Sequence, residues 1–199
     1  MSAGRPRTFE EQDVLVKATE IFWERGYEGT GLTALLDHIG MARQSLYNVF
    51  GDKRGLYLKI LNGYAEAELA RLENRLAVSG SGYDSLCDCL LAIGGGPDPG
   101  VPAGCMIVNA ACEFGSTDAE VATIVQEFWD QYAARLQRSL EAAVAGGDLP
   151  SGLDARRCAW ALTHAVTSMR VMQKAKVPRD RVFDVANSAI EGIAVNAAF

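Results

Sequence analysis

Arg43, Gln44, Ser45, Tyr47 and Asn48 fall within one eight-residue stretch, Arg-Gln-Ser-Leu-Tyr-Asn-Val-Phe, that ends at Phe50. An arginine matches the two acceptors on the major-groove edge of guanine. Glutamine and asparagine match the donor and acceptor of adenine. Serine, tyrosine and lysine hydroxyl or ammonium groups suit phosphate oxygens, and Lys53 follows three residues on. Gly40-Met41 supplies a tight turn just before the stretch. A short helix behind such a turn has the shape that enters the major groove as the second helix of a helix-turn-helix.

The cysteines offer a second chemistry. Cys87, Cys89, Cys105, Cys112 and Cys158 are an odd number, without a Cys-x-x-Cys pair. A disulfide framework and a zinc site are therefore not expected, and His38 and His164 are the only histidines. No metal or cofactor is expected. Cys105 lies in Ala-Gly-Cys-Met-Ile-Val, after a Pro/Gly-rich loop and at an expected helix start. A helix N-terminus lowers a thiol pKa, so Cys105 is a candidate redox or electrophile sensor; the alternative is that Cys105 and Cys112 are small buried hydrophobes. Cys112, two turns on, is placed on roughly the same face. Cys105 with His164 does not make an enzyme: no nucleophile elbow, phosphate loop or metal motif supports catalysis. Gly94-Gly95-Gly96 lacks the Lys-Ser/Thr of a phosphate-binding loop.

These residues need helices to hold them. Alternating strand patterns are missing, and helical spacing dominates the 199 residues. Thr8 and Glu11 form a capping box for a first helix with Val14, Leu15, Ala18, Ile21 and Phe22 on one face, stopped by Gly26. Further helices are expected over 32–39, 43–50 and 53–78, then about 83–93, 105–114, a long one capped by Asp118 and reaching 145, 154–176, and 179–198. Residues 94–104 read as a loop. The expectation is an all-α chain of about nine helices. Residues 1–52 form an N-terminal DNA-binding domain, and residues 53–199 form a helical effector-binding and dimerisation domain.

Charge is divided in a matching way. Residues 1–59 carry eight basic and eight acidic side chains. The remaining 140 carry 11 basic and 17 acidic, the whole of the net −6. A neutral head on an acidic body leaves the head as the part tolerable beside phosphates. Arg5 and Arg7, in Gly-Arg-Pro-Arg, suit a basic arm along the backbone or minor groove. No apolar run is long enough for a membrane span, and the first residues lack a secretory h-region, so a cytoplasmic location is expected.

The stretch from Ala18 to Leu56 resembles the N-terminal domain of the TetR family of bacterial transcriptional repressors. The resemblance rests on Ala18, Phe22, Gly26-Tyr27, Leu35, Gly40-Met41, Leu46-Tyr47, Phe50, Lys53 and Leu56, at ungapped spacing. It departs at Ala42, where the family often has Ser or Thr, at Gly31, where Thr is common, and at Val49, often a histidine. On the residues themselves, Leu46, Val49 and Phe50 are expected to pack inward, leaving Arg43, Gln44, Ser45, Tyr47 and Asn48 to the DNA. The resemblance adds Thr33 as a contact to a flanking phosphate or base.

The resemblance also implies a homodimer on a palindromic operator in double-stranded DNA, released by a small-molecule or electrophile effector. Val182, Val185, Ala186, Ala189, Ile190, Ile193 and Ala197 form one apolar stripe. Trp160, Leu162, Ala165, Val166, Met169 and Met172 form another, and together they suit a four-helix interface. Phe114, Phe128, Trp129, Tyr132 and Trp160 are candidate effector-pocket aromatics. The Gly-Cys placement at Cys105 is similar to that in a TetR-type repressor of electrophile and hypochlorite response. The competing reading is a helical adaptor without sequence-specific DNA binding.

Overall fold

The computed structural model describes residues 11–77, 82–97 and 100–196, with only the backbone of 194–196. Thr8, Arg5, Arg7 and Ala197 lie outside the described residues. Among those described there are nine α-helices: α1 Glu11–Arg25, α2 Leu32–Ile39, α3 Arg43–Phe50, α4 Lys53–Leu76, α5 Gly82–Gly94, α6 Met106–Phe114, α7 Ala119–Gly146, α8 Ala155–Lys174 and α9 Arg179–Asn196. The all-α expectation is met, and α2 and α3 have the expected limits. The chain forms two compact units, Met1–Gly63 and Tyr64–Phe199, so α4 belongs to both.

In the first unit, α1 turns Val14, Ala18, Ile21, Phe22 and Trp23 inward, the spacing of one helical face. Gly26 ends it in the left-handed region at φ 76°, where its N–H donates to Phe22 O at 2.9 Å. Thr30 is fully buried and satisfies its hydroxyl by donating to Gly26 O at 2.6 Å. Gly40, at φ 69°, makes the turn between α2 and α3. The core closes on Leu35, Ile39, Met41, Leu46, Leu56 and Leu61. An aromatic cluster completes it: the Tyr57 ring lies 5.1 Å from Phe22, edge to face, and 5.0 Å from Tyr27.

In the second unit, α7 packs on α5, α6 and α8, while α9 packs on α5 and α8. The core is aliphatic, with Leu86, Leu90 and Ile93 from α5, Met106 and Ile107 from α6, Leu136 and Leu140 from α7, and Met169 from α8. Gly94 permits the close approach of α5 to α9, since a Cβ there would meet Ala186 Cβ at 2.9 Å. The ends follow local chemistry. Asp118 caps α7 by accepting from the N–H groups of Glu120 and Val121 at 3.1 and 3.2 Å. Helix α8 stops at Lys174, two residues before the expected end, because Lys176 takes a positive φ of 56° ahead of Val177-Pro178.

Two caps of opposite quality give a test. Ala42 holds the N-cap position of α3 in extended geometry with no side-chain cap. Ala42→Ser adds the missing acceptor and should stabilise the protein by about 0.5–1 kcal/mol. Asp118→Ala removes a cap in use and should cost about 1 kcal/mol. Urea denaturation reads both; an Ala42→Ser change in the destabilising direction would mean that the α3 start is held by other contacts.

Candidate functional site: the outward face of α3 and the α4–α8 cavity

An eight-residue helix has little to anchor it, and α3 buries only Leu46 completely. Phe50 is half-buried on the same side. Arg43, Gln44, Tyr47 and Asn48 are exposed, Ser45 is half-buried, and Thr33 on α2 is exposed. The expected contact residues therefore share the solvent side of the unit. Gln44 Nε2 donates to Asn48 Oδ1 at 3.0 Å, which lines the two amides up one turn apart and leaves Gln44 Oε1 and the Asn48 Nδ2 protons open.

Two expectations change. Val49 does not pack inward. It is 56% exposed, against 42% for Tyr47, because its position on the wheel lies on the flank beside Ser45 rather than behind Leu46. Lys53, expected to meet phosphate, is engaged at home. Its ammonium donates to Tyr27 O at 2.6 Å and sits 3.9 Å from the Tyr27 ring centroid. The first helix turn of α4 is instead capped by Asp52, which accepts from Gly55 N–H at 2.7 Å.

In the second unit, Cys105, Phe128 and Trp129 do come together. They line a cavity of about 30 Å³ with Glu68, Tyr132, Thr163 and Arg170. Cys112 and Trp160 do not belong to it. Cys112 is exposed and Cys105 buried, because Cys105 is the extended N-cap residue of α6 and not part of its regular turn. Trp160 faces its own helix neighbour His164, at 6.1 Å between rings. Phe114 is likewise absent from the lining.

Cys105 sits at the N-cap of α6, as expected, and the backbone N–H groups of Ile107 and Val108 do favour its thiolate. So does the Tyr64 hydroxyl, which donates to its sulfur. Burial outweighs all three and pushes the thiol above its ordinary range, the reverse of the effect expected from a helix N-terminus. Burial likewise takes Cys89 up to about 11.

Sequence reading passed over the charged groups here. Glu68 is paired with Arg71, and its other oxygen lies 3.8 Å from Arg170 Nη2. Arg170 also donates to Gln173 Oε1 at 3.3 Å, and Gln173 Nε2 donates to Ile93 O at 2.7 Å. The available signal was the i, i+3 Glu68–Arg71 pair on the apolar side of α4; nothing local links it to α8.

A groove of about 450 Å³ runs between α8 and α9. Ala161, Ala165, Val185, Ser188, Ala189 and Gly192 line it. The two expected stripes therefore split: Val182, Ala186, Val166 and Met169 are buried within the unit, while the small residues beside them form the groove.

The thiols give a prediction with a definite sign. A raised pKa keeps Cys105 protonated near neutral pH, so its thiolate appears only above the ordinary thiol value of about 8.5. With folded protein, iodoacetamide should label Cys112 first and Cys105 slowly, at a rate that climbs with alkaline pH. Mass spectrometry of timed quenches reads this. Cys105 labelling first at pH 7 would show a thiolate that the buried setting does not favour.

Comparison with known proteins agrees with the geometry. Residues 14–60 match the model of bacterial regulatory proteins of the tetR family. Residues 85–186 match the tetracyclin repressor-like C-terminal domain. The chain is 34% identical over 184 residues to the HTH-type transcriptional regulator YezE of Bacillus subtilis, covering 91% of this chain and 94% of that one. It is 26% identical over 191 residues to the HTH-type transcriptional repressor ComR of Escherichia coli, covering 95% and 91%. Among solved structures, a cysteine mutant of the regulator CifR in complex with 26-base-pair operator DNA superposes with a TM-score of 0.84, at 26% identity over 94% of this chain and 98% of that one. The chain belongs to the TetR family and is a DNA-binding transcriptional regulator.

Proposed function

We propose that the protein is a repressor that binds a palindromic operator as a two-fold dimer and leaves it when the body unit binds a small effector. The observation that carries this reading is the outward face of α3, where Arg43, Gln44, Tyr47 and Asn48 stand exposed together on a helix fixed from behind by Leu46. Arg43, Gln44 and Asn48 supply base contacts, while Ser45, Tyr47 and Thr33 supply phosphate contacts. Lys53 braces Tyr27 and acts on DNA by placing the turn before α4 rather than as a free cation. DNA reading resides in residues 1–52, and effector binding and dimerisation reside in residues 53–199.

One short helix reads few base pairs, so a second copy is required for useful specificity. The α8–α9 groove is the supporting surface: it is largely apolar and lined by small residues, the kind of patch that a two-fold dimer brings against its own copy. The relatives' names support repression, ComR being a repressor. Effector control rests on the cavity beside Cys105. Reversible ligand binding is favoured over thiol modification there because burial holds the thiol protonated. A DNA-dependent regulator of this kind works in the cytoplasm. Among the described residues no helix is long and apolar enough to cross a membrane.

Selection of bound duplexes from a random pool should enrich a palindrome. Tyr47→Ala should weaken binding to it by about tenfold or more, the loss of one charge-assisted phosphate bond and its packing, with the dimer and melting temperature unchanged. Enrichment of no sequence by folded protein would favour a helical adaptor, and a lower melting temperature in Tyr47→Ala would make that residue part of the core.

A further inference from the structure

Two arginines and one glutamate meet inside the second unit. The Glu68 side chain is 10% exposed and that of Arg170 13%. Arg71, at 34%, bonds Glu68 Oε1 directly. Arg170 Nη2 stands 3.8 Å from Glu68 Oε2, beyond hydrogen-bond reach. Among the described residues its hydrogen bond goes from Nη1 to the neutral Gln173 Oε1. The triad therefore carries a net positive charge, and the excess lies on Arg170. A buried charge without a directly bonded counter-ion is an unfavourable arrangement that an anion would relieve.

Tyr132 adds an independent sign. It is 7% exposed and lines the same cavity as Arg170. Burial keeps that phenol protonated, so its hydroxyl is available as a hydrogen-bond donor. Arg170 and Tyr132 line the same cavity, whose walls include Val108, Phe128, Trp129 and Val166.

We propose that this cavity takes the carboxylate of a small apolar monocarboxylic acid, held by Arg170 and Tyr132. The proposal rests on the reading that the body unit binds the effector. Arg170 keeps Nε and Nη2 as a planar pair of donors, the geometry that a carboxylate accepts in two parallel bonds. Gln173, anchored on Ile93 O, holds the guanidinium in position. Glu68 is neutralised directly by Arg71, so it does not bar a second carboxylate. A volume of about 30 Å³ has room for a carboxylate-sized group. The half-exposed Val108 and Trp129 leave an apolar rim for the tail.

Full-length protein without DNA, titrated calorimetrically with butyrate and with butyramide, tests this. Butyrate should bind saturably and raise the melting temperature, whereas butyramide should do neither. Arg170→Gln should weaken butyrate by about tenfold or more, and Tyr132→Phe by roughly threefold to tenfold, the latter with an unchanged ligand-free melting temperature. Where Arg170→Gln does not fold, Tyr132→Phe decides. Equal response to acid and amide, no saturable binding, or full butyrate affinity in Tyr132→Phe overturns the proposal. Duplex selection on the same preparation is scored separately. Palindrome enrichment with indifference to butyrate removes the carboxylate site alone, and butyrate binding without enrichment removes the DNA reading alone.

Discussion

Everything at the DNA-facing end depends on one buried leucine. Helix α3 has eight residues, too few to be stable alone, and Leu46 is the side chain by which it is held. Because a single anchor suffices, the other positions are released from packing duty and can be polar. The two ends reinforce the anchor. Gly40 sets the entry at φ 69°, and Gly51 caps the exit by donating to Tyr47 O at 3.1 Å. Lys53 then ties the start of α4 to the Tyr27 carbonyl and ring, beside the Phe22–Tyr57 contact. A rigid frame behind a short polar helix is what a base-reading element needs, since groove contacts require side chains in fixed register.

The body unit solves a different problem. Its core is ordinary aliphatic packing, but it admits a glutamate and an arginine whose desolvation packing cannot offset. Gln173 makes the arrangement tolerable by joining Arg170 to the C-terminal carbonyl of α5. The same burial that makes the charged pair costly also holds Cys105, Tyr64 and Tyr132 protonated. The site is thus rich in donors and poor in nucleophiles, which suits reversible recognition better than covalent chemistry.

Much of this was legible in the sequence, for local reasons. Glycines at 26, 40 and 94, the Asp118 cap and the Val177-Pro178 turn mark helix ends through backbone chemistry that acts within a few residues. Hence α2 and α3 could be bounded correctly. Val49 was misplaced because a flank position on an eight-residue helix is decided by which neighbours reach it, and periodicity does not contain that. For Cys105 the two readings could not be separated, because a helix N-terminus is a local feature while burial is a tertiary one, and burial is the larger effect. Glu68 and Arg170 escaped because they lie on α4 and α8, brought together only by the fold. Cys112 failed as a partner for Cys105 for a simpler reason: Cys105 is the cap, outside the regular turn of α6, so helical spacing counted from it does not hold.

Charge distribution bears on how such a regulator lets go. Counterion release scales with the number of phosphates neutralised, and it supplies most non-specific affinity. Here residues 1–59 are neutral and the rest carry −6. Lys53, the cation nearest α3 in sequence after Arg43, is turned to Tyr27. The less that sequence-independent attraction supplies, the more the affinity rests on base contacts, uncharged phosphate contacts and the coupling of two half-sites. Two linked heads gain affinity over one by effective concentration, and that gain vanishes when both cannot engage together. A protein held to DNA mainly by simultaneous engagement needs only a small change in geometry to be released. An effector that shifts the body by a differential binding energy of a few kcal/mol then suffices, and bound DNA must weaken effector affinity by the same factor.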